Sequence, residues 1–152
     1  MDENVKKVLS LLETQCSKRE YCSSDIRRKA MEKLEWNQSA ADEVLASLVA
    51  DGYVDDFRYA SAFAREKAAL TGWGPVKIRF ALSSKQIPRD VIDRAMEEVD
   101  DEKAAARLQR LLESKFKSLQ GDPEIKLKLL KYALSRGYDY DSVRQSVDDL
   151  TG

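Results

Sequence analysis

The sequence has no histidine and only two cysteines among its 152 residues. Without histidine it lacks the commonest general base, the commonest zinc ligand and the side chain that titrates near neutral pH. Cys16 and Cys22 lie six residues apart with no second cysteine pair, so two reduced thiols are favoured over a zinc site or a disulfide. The absence of histidine also excludes a Ser-His-Asp triad.

Long apolar runs are missing too. No stretch reaches the roughly 18 consecutive apolar residues that are typical of a membrane span. The amino terminus, Met1-Asp2-Glu3-Asn4, is acidic and lacks the apolar core of a signal peptide. We expect a cytoplasmic protein with no membrane partner.

Glycine and proline are scarce, with six and three residues, whereas helix-forming residues dominate a chain that is 43% hydrophobic and 35% charged. This composition and a length typical of one domain predict a folded, all-α protein. The net charge of −1 favours neither nucleic acid nor an anionic membrane as a partner.

Apolar residues recur at helical spacing along the whole chain, which predicts about nine helices and no strand. We expect Ser24, Asp25 or a neighbour to cap the second helix, and a capping box of Ser39 with Asp42 to open the third. The eighth helix carries its apolar residues at Leu127, Leu130 and Leu134.

Glycine, aspartate and proline mark several helix ends. Gly52 predicts the end of the third helix, and Asp55 the N-cap of the fourth. Gly72-Trp73-Gly74 predicts the break after that helix, and Pro75 suits the first turn of the fifth.

An internal repeat organises these helices. Ile26, Ile78 and Leu129 occupy equivalent positions on the second helix of each triplet, separated by 52 and 51 residues. A single domain, 1–152, is therefore expected to contain three-helix units at about 1–52, 53–100 and 101–152. Tandem units of this kind stack into an elongated, curved body.

Charge follows the same repeat, because each unit has a basic half and then an acidic half. Arg65 to Arg89 has a net charge of +5, and Asp90 to Glu102 a net charge of −6. If the repeats stack in register, their basic halves would form one ridge and their acidic halves another. Such ridges suit a long charged partner. The alternative, equally favoured, is a solvated helical surface whose neighbouring helices neutralise each other.

Motifs of catalysis are absent. The sequence has no phosphate-binding loop, and Gly72-Trp73-Gly74 lacks the third glycine and the preceding strand of a dinucleotide loop. Adjacent carboxylates such as Asp55-Asp56 are better explained as helix caps than as metal ligands. We therefore expect a protein that is not an enzyme and that binds no metal and no cofactor.

The aromatic residues have two different interpretations. Tyr53, Phe57, Tyr59 and Phe63 are favoured as packing residues. Trp73 lies between two glycines beside a basic helix start, where it is either a partner or phosphate contact or a corner of the core.

The run Gly52-Tyr53-Val54-Asp55-Asp56-Phe57-Arg58-Tyr59-Ala60, followed by Arg65, Gly72-Trp73-Gly74-Pro75 and Ile78-x-x-x-Leu82, resembles the signature of the RecX family. The resemblance extends over essentially the whole chain and implies tandem three-helix repeats. It implies a non-enzymatic modulator that lies in the helical groove of the RecA filament on single-stranded DNA. Such a modulator inhibits ATP hydrolysis and strand exchange and restrains DNA recombination, DNA repair and the SOS response.

The resemblance and the charge pattern together give two sets of residues. Most signature residues are expected to be structural: Gly52, Tyr53, Asp55, Asp56, Phe57, Tyr59, Ala60, Gly72 and Gly74. The candidates for contact with the RecA filament or its DNA are Arg58, Arg65, Lys67, Trp73, Lys77, Arg79, Lys85 and Arg89, with Arg27, Arg28, Lys126, Lys128 and Lys131 as equivalents along the ridge. We expect a monomer that binds naked DNA weakly.

Two other functions stay open. Three-helix units can present a helix to the major groove, as helix-turn-helix proteins do, which would make the chain a direct DNA-binding protein. An all-helical scaffold for another protein is the remaining alternative.

Overall fold

The computed structural model describes all 152 residues, and it contains nine α-helices and no strand. The predicted all-α fold and the number of helices are confirmed. The helices are α1 (Glu3–Lys18), α2 (Ser23–Lys33), α3 (Gln38–Ala50), α4 (Asp56–Glu66), α5 (Pro75–Ser84), α6 (Arg89–Met96), α7 (Asp101–Ser118), α8 (Ile125–Ser135) and α9 (Tyr140–Thr151), with a π-helical turn (Lys67–Thr71) after α4. No helix is both long and apolar enough to cross a membrane.

Asparagine and aspartate side chains cap most helix starts. The predicted N-cap Asp55 is confirmed, because its carboxylate accepts the backbone N–H of Arg58 at 3.0 Å. The expected capping box of Ser39 with Asp42 is wrong, since α3 begins at Gln38 and Asn37 caps it by accepting the N–H of Ala40.

The second helix also begins differently from the expectation. Its N-cap is Cys22, which makes no capping hydrogen bond from its side chain. Two groups from later in the chain contact the first turn instead: Asp56 Oδ1 accepts the N–H of Ser23 at 2.7 Å, and the carbonyl of Lys85 accepts the hydroxyl of Ser24 at 2.6 Å.

Left-handed glycines follow the helices whose ends the sequence marked, and three left-handed residues other than glycine follow α2 and α5. Gly52 and Gly72 have positive φ, as a terminating glycine does. Glu35, Trp36 and Gln86 also have positive φ, at 54°, 65° and 63°, although none is glycine. L-residues rarely adopt this conformation because the Cβ atom crowds the backbone.

The chain packs as two compact units: unit 1 comprises residues 1–62 and 82–95, and unit 2 comprises residues 63–81 and 96–152. The boundaries fall within α4, α5 and α6, so each of these helices contributes residues to both units. In unit 1, α1, α2 and α3 pack against one another, and in unit 2, α7, α8 and α9 do the same.

Apolar side chains at helical spacing form the core of each unit. In unit 1, Leu12, Ile26 and Leu48 are fully buried. In unit 2, Leu112 and Leu129 are fully buried. Each fully buried leucine or isoleucine contributes about 1.5–3 kcal/mol to stability through removal from water.

The buried face of α8 differs from the periodicity read from the sequence. Leu127 and Leu134 are 46% and 38% exposed, and the buried side chains are Leu129 and Ala133. Apolar residues occupy more than one face of α8, so its periodicity alone does not select the buried one. Packing against α7 and α9 selects it.

Candidate functional site

Arg58 makes internal contacts. Its guanidinium forms an ion pair with Glu20 and donates hydrogen bonds to the carbonyls of Gly52 at 3.0 Å and Tyr53 at 3.3 Å. The hydrogen bond to Glu20 holds the pKa of Arg58 above its ordinary value. The side chain therefore ties the start of α4 to the end of α3.

Three further candidates in unit 1 face carboxylates. Arg27 Nε lies 2.8 Å from Asp42, and Lys85 Nζ lies 3.0 Å from Asp25. The hydrogen bond to Asp25 raises the pKa of Lys85, so this ammonium is charged at neutral pH. Arg28 lies 3.9 Å from Asp25 with a side chain that is 61% exposed, which leaves its guanidinium largely open to solvent.

Three candidates in unit 2 form ion pairs. Arg65 forms an ion pair with Glu98, which also lies in unit 2. Lys126 and Lys128 pair with carboxylates of unit 2 at 3.0 Å and 2.6 Å. Arg79 and Lys131 in unit 2 and Arg89 in unit 1 have exposed side chains.

Two lysines flank Trp73 without a carboxylate partner. The indole ring lies 4.9 Å from Lys67 Nζ and 4.6 Å from Lys77 Nζ, and it packs edge-on against Phe63 at 6.1 Å between centroids. We call these four residues the Trp73 cluster. Trp73 is half-buried, so it is at once a packing residue and the neighbour of two cations.

The backbone N–H groups at the start of α5 donate hydrogen bonds to carbonyls at the end of α8. Arg136 and Gly137 accept the N–H groups of Gly74 and Val76 at 2.8 Å and 2.9 Å. A phosphate cannot use the same amides, so any anion beside Trp73 would meet the lysine side chains rather than the helix start. Gly74 and Gly137 approach so closely that a Cβ added to Gly74 would lie 2.4 Å from the carbonyl oxygen of Gly137.

Most signature residues lie in structural roles. Asp56 contacts the start of α2, as described above, and the Phe57 ring lies 4.3 Å from the Arg94 guanidinium. Gly72 accepts a hydrogen bond from the Tyr138 hydroxyl at 3.3 Å. Ala60 is fully buried, and burial raises the pKa of Tyr59. Tyr53 packs against the core of unit 1.

Unit 1 contains a groove that the sequence did not predict. It has a volume of about 430 Å³ and is formed by α2, the turn after α2 and residues 84–86. Trp36 lines it with 63% of its surface exposed. We call it the Trp36 groove. The only sequence signal for it is a tryptophan at a helix end where a glycine would be expected.

The cysteine and carboxylate side chains form no metal site. Cys16 and Cys22 are buried free thiols, and burial raises the pKa of both. No group of three or more cysteine, aspartate or glutamate side chains is placed to hold a metal ion.

Comparison with known proteins identifies relatives over nearly the whole chain. Residues 55–96 match the family described as RecX, second three-helix domain. The regulatory protein RecX of Prosthecochloris aestuarii is 28% identical over 150 residues, which cover 98% of this chain and 97% of that protein. The regulatory protein RecX of Bacillus mycoides is 30% identical over 137 residues, and the match covers 86% of this chain but only 51% of that protein.

Solved structures show the same fold. A crystal structure of regulatory protein RecX superposes with a TM-score of 0.85 at 23% identity, covering 97% of this chain and 72% of that one. The crystal structure of RecX from Lactobacillus salivarius has a TM-score of 0.85 at 18% identity and covers 99% of both chains. The curated relatives, the matched domain and the shared fold agree: the chain belongs to the RecX family of regulatory proteins.

Proposed function

We propose that this chain regulates the RecA recombinase by binding and not by catalysis. It binds as a monomer in the helical groove of the RecA filament on single-stranded DNA, and it inhibits ATP hydrolysis and strand exchange there. In this way it restrains recombination, DNA repair and the SOS response. Membership of a family of regulatory proteins, matched over 98% of the chain by one relative, supports a regulatory role.

The Trp73 cluster carries the proposal for the binding surface. The ammonium groups of Lys67 and Lys77 lie 4.9 Å and 4.6 Å from the centre of the indole ring and form no ion pair. An exposed cation–π contact contributes about 0.5–1 kcal/mol, so the lysines can leave it for a carboxylate or a phosphate of the filament. The ion-paired Arg65 would first have to give up Glu98.

The experiment is single-stranded-DNA-dependent ATP hydrolysis by the cognate RecA, titrated with this protein and with a Lys67→Glu/Lys77→Glu variant. The expected result is inhibition by the native protein, and weaker inhibition by the variant at the same concentration. A matched control is Lys7→Glu/Lys33→Glu, which makes the same change in net charge at two exposed lysines of unit 1. This control should inhibit as the native protein does.

Each contrary result has a clear meaning. Equal loss of inhibition in both double variants would assign the effect to net charge and remove the Trp73 cluster from the surface. No effect of the native protein on ATP hydrolysis, together with tight, steeply salt-dependent binding to naked DNA, would make it a direct DNA-binding protein. The first-turn amides of α5 would not contribute a phosphate site to that alternative, because they already donate to the carbonyls of Arg136 and Gly137.

A further inference from the structure

The Trp36 groove combines an exposed indole with three cations. Arg27, Arg28 and Lys85 line it, and so does one carboxylate, that of Asp25. A tryptophan with 63% of its surface exposed is uncommon away from a binding site, because indole buries a large apolar area when a partner covers it. The groove lies wholly within unit 1.

The backbone around the groove holds bulky side chains where a glycine would be less strained. Trp36 and its neighbour Glu35 have φ of 65° and 54°, and Gln86, which also lines the groove, has φ of 63°. Each non-glycine residue in this region costs roughly 1–2 kcal/mol. After α8, the position equivalent to Gln86 is a glycine, Gly137, with φ of 94°. Side chains kept at strained positions on both sides of one groove indicate that the groove uses them.

The charges of the groove favour a negatively charged occupant. Asp25 is already engaged, because Lys85 Nζ lies 3.0 Å and 3.3 Å from its two oxygens and its side chain is only 14% exposed. Arg28 is the most available cation, with a 61% exposed side chain and a single contact at 3.9 Å. A carboxylate of the occupant can therefore reach Arg28 without first displacing a close ion pair.

The aromatic content favours a peptide over single-stranded nucleic acid. Nucleic-acid grooves stack successive bases on successive aromatic side chains. The Trp36 groove has one aromatic residue, and Met31 lies beside it as the other apolar lining residue. One indole next to a flexible thioether suits a single apolar anchor, as in peptide-binding surfaces that use methionine.

We propose that the Trp36 groove binds a short acidic peptide segment of a protein partner, with one aromatic or large aliphatic side chain packed on Trp36 and Met31. Carboxylates of the segment pair with Arg28. This inference rests on the proposed function, in which Arg27, Arg28 and Lys85 are candidates for contact with the partner. It adds the kind of protein segment that these side chains would meet.

The test uses the full chain and a synthetic probe. The probe is a fluorescein-labelled peptide with a central phenylalanine flanked on each side by glutamate and aspartate residues. Because Trp36 and Trp73 are the two tryptophans of the chain, a Trp73→Phe variant makes Trp36 the only indole reporter. Saturable binding by anisotropy, with a shift of Trp36 emission that saturates at the same unlabelled peptide concentration, is the expected result.

Variants distinguish peptide binding in the Trp36 groove from an effect of net charge. Arg28→Glu should weaken peptide binding by about tenfold, whereas Lys33→Glu, an exposed lysine on the same helix outside the groove, should bind as the native protein does. Trp36→Gly should abolish binding without lowering the melting temperature, because glycine relieves the strain at φ of 65°. This variant keeps the test independent of folding.

Three outcomes would overturn the proposal: no binding of the peptide, equal binding by the Trp36→Gly variant, or preferential binding of an oligothymidylate that competes with the peptide for Trp36. The failure of this proposal is distinguishable from that of the proposed function. If the peptide does not bind while the Lys67→Glu/Lys77→Glu variant still loses inhibition of RecA, the peptide site fails and the regulation of RecA stands.

Discussion

The carbonyl oxygen of Gly137 accepts a hydrogen bond from the backbone N–H of Val76 at 2.9 Å. The end of α8 thereby caps the start of α5 inside unit 2, with the negative end of one helix dipole against the positive end of another. Unit 1 has a corresponding contact, in which the Lys85 carbonyl after α5 accepts the Ser24 hydroxyl near the start of α2. The end of α5 therefore contacts the start of α2, as the end of α8 contacts the start of α5.

Gly137→Ala should destabilise unit 2 by about 3 kcal/mol, because the new Cβ would lie 2.2 Å from the Cβ of Lys77 at a φ of 94°. Thermal unfolding followed by circular dichroism measures the change. Gly121→Ala is the matched control, with a φ of 86° and no atom within 4 Å of the new Cβ. It should cost only about 1 kcal/mol. Equal losses would contradict the close contact with Lys77.

Arg58→Lys should lower stability by about 1 kcal/mol, since lysine keeps the charge but cannot reach Glu20 and two carbonyls with one planar group. Urea unfolding measures this loss. The inhibition of RecA by the folded variant should equal that of the native protein. Reduced inhibition with unchanged stability would instead make Arg58 a partner contact, as the sequence predicted.

Asp139→Asn should alter the pH dependence of stability. Hydrogen bonds from Ser142 hold the pKa of Asp139 below its ordinary value of 3.8, so the ionised carboxylate stabilises the fold. This stabilisation is present above the pKa of the unfolded chain and is lost as pH falls through the lower folded pKa. The native protein should therefore be more stable than the variant at neutral pH, with a gap that closes in acid. Urea midpoints measured across this range check it, and parallel curves would contradict it.

Cys16 and Cys22 should react with a thiol reagent only after unfolding. They are 9% and 0% exposed, and burial raises the pKa of both thiols, which lowers the reactive thiolate fraction. Slow labelling in buffer and rapid labelling of two thiols in concentrated guanidinium chloride are expected. Rapid labelling of the native protein would mean that α1 and the start of α2 open readily.

Local signals predicted much of the fold. Ile26, Ile78 and Leu129, assigned as equivalent from spacing alone, are all fully buried. The helix end at Gly52 and the N-cap at Asp55 depend on nearby atoms only, so they could be read from a few residues.

The ion pairs and the groove could not be read in the same way. Arg58 meets Glu20 across 38 positions of sequence, and Lys85 meets Asp25 across 60. Which cations are paired depends on tertiary contacts that periodicity does not specify. Trp36 has left-handed backbone angles, which residues other than glycine rarely adopt. A prediction from residue preferences therefore cannot anticipate this conformation.

Unit 1 also constrains the order in which the chain can fold as it is synthesised. Its second segment, residues 82–95, follows nineteen residues that belong to unit 2. The serines at the start of α2 bind Asp56 and Lys85. These two residues lie 33 and 61 positions later in the chain than the serines that they bind. The first three helices are therefore synthesised before the groups that complete their packing. Unit 1 cannot be completed until residues 82–95 have been synthesised, and residues 63–81 connect its two segments.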